Sequence, residues 1–365
     1  MSLDQIAAAF DRRDYNLAAR LLKDFLKESP QNPWGHVYKA RLYEVSENFA
    51  GAIAIYQQLL KTVTHPKIMS HARQGLQRIE ARSQVKRQQA IEEAKSDPQN
   101  TEPGLLILEA IAPEIRTQVA KDFARIMNLD AYTARMHMPN RGWKIYRLGA
   151  IGEMKLYTEQ LRAANIPAFC TTEIDLHQVS VFEVQYFEDY APSAIVVCQS
   201  PQGQIGSITF DWSEIAQRVE GQLPILENVV DTTLGKGVQR RQKAETLDYV
   251  QVYDLHLPQR RCILRLCDWR YQFDQGIEFG AMGDSTIDLD QAINRLHWNS
   301  LKNFLSEQLL QQPLWADFSS FGETAIEFPH LLERLPAHIQ AYSQSNWASA
   351  FHLYSSLAFN RENRS

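Results

Sequence analysis

Apolar side chains recur every three to four residues through residues 3–94, the period of helices with one buried face. Within this stretch the pattern repeats itself. Asp14-Tyr15-Asn16-Leu17-Ala18 aligns with Asn48-Phe49-Ala50-Gly51-Ala52, and the pairs Tyr15/Phe49, Ala18/Ala52 and Leu22/Tyr56 are each 34 residues apart. A small residue is needed where two helices of a pair cross closely, and Ala18 and Ala52 supply it. Pro30 ends one helix, because proline cannot continue it. A further helix is expected from Ile68 to about Ala94. Its first part carries Ala72, Leu76 and Ile79, while Arg82 to Lys95 is nearly all polar and reads as solvated. Asp97 to Pro103, rich in Pro, Asn and Gln, reads as a linker.

From Gly104 the period changes. Leu105–Ile111 is a strand candidate. Pro113 opens a helix with Ile115, Val119, Phe123 and Ile126 at helical spacing. Asp130 caps a second helix to about His137. Trp143–Leu148 reads as a strand, Ala150–Ala164 as a helix and Pro167–Thr172 as a strand, giving the order β-α-α-β-α-β. Beyond it, Val179–Phe187, Ala194–Gln199 and Gln204–Phe210 are strands, the last two joined by the turn Pro201-Gln202-Gly203. Asp211 or Ser213 caps a helix to about Val219. Leu247–Leu257 and Cys262–Leu266 flank a second hairpin turn at Pro258-Gln259-Arg260, and Tyr271–Phe279 is a further strand. Asp288–Gln311 and Asn346–Phe359 are helices. The expected fold is multidomain α and α+β: a helical repeat over 1–95, a linker over 96–103, a small α+β domain over 104–175, and an antiparallel-sheet α+β domain over 176–365.

Composition narrows this little. The 365 residues are 44% hydrophobic and 22% charged, ordinary for a chain that buries a core. A net charge of -5 opposes non-specific binding of the whole molecule to nucleic acid. No basic region precedes an apolar core at the start, and no apolar run reaches membrane-spanning length. Cys170, Cys198, Cys262 and Cys267 form no dense disulfide framework. A cytoplasmic location, or one peripheral to a membrane complex, is expected, with reduced thiols.

By the 34-residue period, the small residues Ala18, Ala40 and Ala52, and the aromatics Tyr15, Trp34, Tyr43 and Phe49, the N-terminal segment resembles the tetratricopeptide (TPR) repeat family. It departs from that pattern in lacking the first tryptophan and in carrying Thr64 where proline is usual. The resemblance implies a groove for a peptide or partner helix, with Asn32, His36, Lys39 and Tyr43 as candidate lining. The alternative for these four is an ordinary solvated face. The β-α-α-β-α-β stretch, with Leu161, Ala164 and Ile166 closing its last helix, resembles the C-terminal domain of the ribosomal stalk protein and the Clp adaptor fold. The whole chain resembles TPR proteins of cyanobacteria, which implies assembly or regulation of a photosynthetic complex as a setting.

Candidate chemistry is sparse. Cys262 and Cys267 would face opposite sides of one strand, so a shared metal is disfavoured. Leu234-Gly235-Lys236-Gly237-Val238 lacks the spacing of a phosphate loop, and no Gly-x-Ser-x-Gly or His-Glu-x-x-His occurs. Gly280–Ser285 reads as a loop. A basic stretch, Lys236, Arg240, Arg241, Lys243, Arg260 and Arg261, continues to Arg265 and Arg270 and interleaves with Tyr249, Tyr253 and Trp269. It suits an acidic protein surface or a single strand of nucleic acid, or it merely protects a strand edge. Asp254, His256, Asp268 and Asp274 are the metal-ligand candidates for phosphodiester chemistry. The expectation is a non-enzymatic adaptor or assembly factor that needs no cofactor, with nucleic-acid binding or processing as the alternative.

Overall fold

A computed structural model describes residues 3–97, 100–232, 240–279, 290–339 and 346–362. The chain divides into two compact units, Met1–Ala94 and Lys95–Ser365.

The first unit is helical: α1 (Leu3–Asp11), α2 (Tyr15–Glu28), α3 (Pro33–Val45), α4 (Phe49–Thr62) and α5 (Pro66–Ser96). Three helix starts are capped by short polar side chains. Asp14 accepts from the Leu17 N–H, Asn32 from Trp34 and Gly35, and Asn48 from Gly51, which satisfies amides that a helix start leaves unpaired. Ala18, Ala40 and Ala52 are fully buried at the crossings, as the repeat requires. The odd-numbered helices stand side by side: Phe10 of α1 meets Tyr38 of α3 at 5.2 Å, and Trp34 of α3 meets His71 of α5 at 5.3 Å. Buried Glu44 accepts from the Tyr56 hydroxyl at 2.5 Å and from Arg78 at 2.9 Å, tying α3, α4 and α5.

The second unit begins with β1 (Pro103–Glu109), α6 (Pro113–Met127), α7 (Ala131–His137), β2 (Trp143–Ala150), α8 (Ile151–Ala163) and β3 (Ala168–Thr172). This is the β-α-α-β-α-β order, and the three strands form an antiparallel sheet in the order β2-β1-β3. Leu105 to Leu108 are all fully buried, so the central strand is covered on both faces.

There follow α9 (Glu173–His177), β4 (Ser180–Asp189), β5 (Ala194–Gln199), β6 (Ile205–Phe210), β7 (Gln217–Thr232), β8 (Arg240–Leu257), β9 (Cys262–Cys267), α10 (Asp290–Gln308), β10 (Leu314–Trp315), α11 (Phe318–Ala325), α12 (Pro329–Leu332) and α13 (Trp347–Glu362). The second sheet has the order β10-β7-β8-β9-β4-β5-β6. It is two antiparallel meanders, β4-β5-β6 and β7-β8-β9, joined through a parallel β4–β9 pair. A second parallel pair joins β10 to β7.

The structure corrects the sequence reading at three points. The sheet is mixed rather than antiparallel, because strands distant in the chain pair where no hairpin dictates direction. A long strand, β7, starts where a helix to Val219 was expected, and only Trp212–Glu214 turns helically. Residues 271–279 form no strand: Tyr271 instead turns inward, and its hydroxyl oxygen accepts from the Phe187 amide N–H at 3.0 Å. β7 was hidden by Gly221 and Pro224, both poor strand formers. Gly221 is needed for packing, since a Cβ there would lie 2.7 Å from both Phe318 and Phe351.

α13 is buried from Ala348 to Phe359, its polar Ser349, His352, Ser355 and Ser356 included. One hydrophobic cluster joins Leu105, Ile107 and Trp143 of the first sheet to Phe351, Tyr354 and Leu357 of α13 and to Val219 and Val252 of the second sheet. The other face of the large sheet packs Leu255, Leu264 and Leu266 against Trp298, Leu301 and Leu305 of α10. Cys262 and Cys267 belong to opposite faces, as their odd spacing requires.

Candidate functional site

The four groove candidates follow one another along α3, with His36, Lys39 and Tyr43 three and four residues apart and therefore on one face. Two of them carry structural duties. The Asn32 carboxamide oxygen holds the α3 cap at 3.0 Å, and His36 Nε2 lies 2.9 Å from the Pro30 carbonyl. The Lys39 ammonium stands 5.8 Å from the Tyr43 ring centroid, and that ring lies on the α4 backbone, 2.6 Å from where a Gly51 Cβ would be. Lys39 and Tyr43 are thus a half-buried cation–aromatic pair on α3.

The basic stretch does not converge. Lys236, with the rest of 233–239, lies outside the described residues, as does the Gly280–Ser285 loop. Arg240, Arg241 and Lys243 occupy the far end of a two-stranded ribbon, where β7 and β8 pair only with each other among the described residues. Arg260 and Arg261 follow the opposite end of β8, roughly 45 Å of extended strand away at about 3.3 Å per residue. Arg260 is committed to Glu214 in a two-point contact, Nε to Oε2 at 2.6 Å and Nη2 to Oε1 at 2.7 Å, and to the Thr209 carbonyl. That pairing holds the Glu214 carboxyl below its ordinary range. Arg270 pairs with Glu183 at 2.8 Å, and Arg265 is fully buried.

Asp254 and His256 belong to a buried polar network that crosses from the large sheet to α13. Arg265 binds both Asp254 oxygens, at 2.8 and 2.7 Å, and both residues are fully buried. The Ser355 hydroxyl donates to Asp254 Oδ2 at 2.5 Å, and His256 Nε2 lies 2.9 Å from the same hydroxyl oxygen. His256 Nδ1 meets Gln217 Nε2 at 3.0 Å. The set contains serine, histidine and aspartate, yet its protons run the wrong way for nucleophilic catalysis. Trp315 Nε1 is only a donor, and it meets Gln217 Oε1 at 2.7 Å, so the amide nitrogen must face His256 and the Ala358 carbonyl. His256 Nδ1 therefore accepts and Nε2 carries the hydrogen. Burial pushes the imidazole down to about 4, which keeps it neutral. It donates to Ser355 and has no lone pair to take the serine proton, the reverse of a catalytic triad.

Arg265 and Ser355 direct three hydrogen bonds at the buried Asp254 carboxylate. The network joins β7, β8, β9, β10 and α13. It fixes where the central helix sits. Among the described residues no group of His, Cys, Asp and Glu gathers as a metal site. Burial pushes the Cys198 and Cys262 thiols up to about 11 and Cys267 up to about 12, which removes their nucleophilicity near neutral pH. Gln217, Trp315 and Ser355 gave no local motif. Their one sequence signal was polarity out of place, Ser349, His352, Ser355 and Ser356 in an otherwise apolar helix.

A tetratricopeptide repeat family model matches residues 9–67. The stacked odd-numbered helices and buried small residues of that segment agree with it. Tetratricopeptide repeats generally mediate protein–protein interaction, and they are typically non-enzymatic. No curated protein and no solved structure matches the chain. No helix among the described residues is long and apolar enough to cross a membrane.

Proposed function

We propose that this chain is a non-enzymatic adaptor that grips a segment of a partner protein on the repeat face carrying Asn32, His36, Lys39 and Tyr43. The observation that carries the reading is the half-buried Lys39–Tyr43 pair on α3 of the helical repeat. An ammonium beside an aromatic ring offers a partner both charge and apolar area. Asn32 and His36 shape the start of that helix. The Lys95–Ser365 unit serves as the second arm, for another partner or a larger assembly. Assembly or regulation of a photosynthetic complex is the proposed setting, resting on the resemblance to cyanobacterial TPR proteins, with the cytoplasm or the periphery of a membrane complex as its place. The test is affinity purification of the full chain beside its Lys39→Glu, Tyr43→Ala variant, followed by mass spectrometry. A partner retained by the first and lost by the second supports the reading; identical recoveries refute it.

A second reading is motivated by Arg240, Arg241 and Lys243 lying together at the end of the β7–β8 ribbon. That end would meet an acidic protein surface or single-stranded nucleic acid. A salt-dependent shift with single-stranded RNA, abolished by Arg240→Glu plus Arg241→Glu, is its signature; absence of any shift at low salt ends it.

A further inference from the structure

A cavity of about 580 Å³ opens in the Lys95–Ser365 unit between α8, β3 and the last turn of α13. Its volume lies within the range of small-molecule sites, about 300–1,000 Å³. α8 presents Lys155, Thr158 and Arg162 to it, spaced three and four residues apart and so on one helix face. Neither cation meets a carboxylate among the described residues. Lys155 Nζ reaches the Asn100 amide oxygen at 3.4 Å, while Arg162 Nε donates to the Ala168 carbonyl at 2.8 Å. That bond uses Nε alone of the guanidinium nitrogens.

The carboxylate on the wall does not neutralise these charges. Glu109 is already held by Arg361 at 2.7 Å. Phe169 and Leu357 supply apolar wall. A cation-rimmed, apolar-floored cavity in a chain of net charge -5 selects for negative charge against the field of the whole molecule.

We infer that this cavity binds a small organic anion, a carboxylate or phosphate monoester head held by Lys155 and Arg162, with an apolar body against Phe169 and Leu357. Size selects the class: the space takes a metabolite-sized molecule.

The probe is 1-anilinonaphthalene-8-sulfonate, an aromatic anion, titrated into the full chain and followed by fluorescence. Saturable binding near one dye per chain is expected. Lys155→Glu, Arg162→Glu weakens it by about tenfold or more, since hydrogen bonds to charged groups contribute about 1.5–3 kcal/mol each. Both positions are exposed, so circular dichroism should show an unchanged fold. Arg162→Lys, which keeps the charge, loses less than the reversal. Octanoate and phenyl phosphate serve as competitors, with octanol as the neutral control. Displacement by octanoate alone assigns a carboxylate head, and by phenyl phosphate alone a phosphate head. Absence of saturable binding, unchanged affinity in the double reversal, displacement by neither anion, or equal displacement by octanol overturns the inference. None of these readings involves the repeat, so the outcome is independent of the adaptor proposal.

Discussion

Gly75 of α5 lies directly beneath the ring of Tyr56 on α4: a Cβ at position 75 would come 2.3 Å from Tyr56 Cε2. Tyr56 cannot retreat, because it is fully buried and its hydroxyl is bound to Glu44. Burial and that hydrogen bond to the carboxylate also push its phenol well above the ordinary range. Replacing a helical glycine by alanine gains about 1 kcal/mol of intrinsic helix stability. Forcing a methyl into an occupied core site costs about 1–3 kcal/mol. Gly75→Ala should therefore leave the repeat no more stable, and Gly75→Val should lower its thermal midpoint clearly. Thermal unfolding of both variants, read by circular dichroism, decides it; a raised midpoint for Gly75→Val contradicts the packing described.

The Asp254–Arg265 pair makes a sharper demand. Removing one member of a buried ion pair strands the other charge and destabilises by about 3–5 kcal/mol. Asp254→Asn and Arg265→Met should each fall in that range in urea unfolding. The combined Asp254→Asn, Arg265→Met chain should lose less than the sum of the two. Strict additivity in this cycle is the result that the geometry forbids.

Acid should loosen the fold before ordinary carboxylates titrate. His256 and His338 are both pushed down to about 4, chiefly by burial, and His352 is pushed well below its ordinary value by burial and by nearby Arg265. Between pH 6.5 and about 4 the unfolded chain binds protons at these rings and the folded chain does not, so stability falls with pH across that window. For His256 alone the loss approaches ~3 kcal/mol. Asp268 works in the opposite sense: burial lifts it to about 6, so the folded chain gains a proton there first and stability rises as pH drops below that, by an amount comparable to one imidazole's loss. Three imidazoles outweigh one carboxyl. A thermal midpoint that is flat from pH 7 to pH 4.5 would falsify this balance.

The proton order of the Gln217–His256–Ser355–Asp254 chain predicts an inert serine. A fluorophosphonate reagent should leave the native chain unlabelled at Ser355, where a hydrolase of the same composition reacts. Ser355→Ala should cost stability instead, about 1–3 kcal/mol, by leaving the Asp254 oxygen short of a donor. Specific labelling at Ser355 is the contrary outcome.

The helical repeat was legible because its information is local. A 34-residue period, small residues at the crossings and short polar caps at Asp14, Asn32 and Asn48 each act within a turn or two of helix. The β-α-α-β-α-β order was legible for the same reason, through Pro113, Asp130 and the turn at Pro139–Gly142. The large sheet was not. β7 contains Gly221, which exists for Phe318 and Phe351 far along the chain, and Pro224, so its local propensity argues against the strand it forms. Tyr271–Phe279 alternates like a strand, yet those rings turn into the core under α10. The basic stretch looked like a patch because its members are close in sequence, but an extended strand separates neighbours in the chain by the length of the domain. The Ser355–Asp254 contact joins residues a hundred positions apart and left no trace but misplaced polarity.

The central position of α13 also sets the order in which the polypeptide matures. Residues 3–94 hold their own contacts and can close while the remainder is still being synthesised. The other unit has no such freedom: Leu105 and Ile107 share their core with Phe351 and Leu357, so the first strands made must wait, with apolar faces uncovered, for the last helix to emerge. Between the synthesis of β1 and that of α13 the nascent chain is a closed helical repeat followed by an unfinished sheet, and it is in that interval that chaperones have the most to shield.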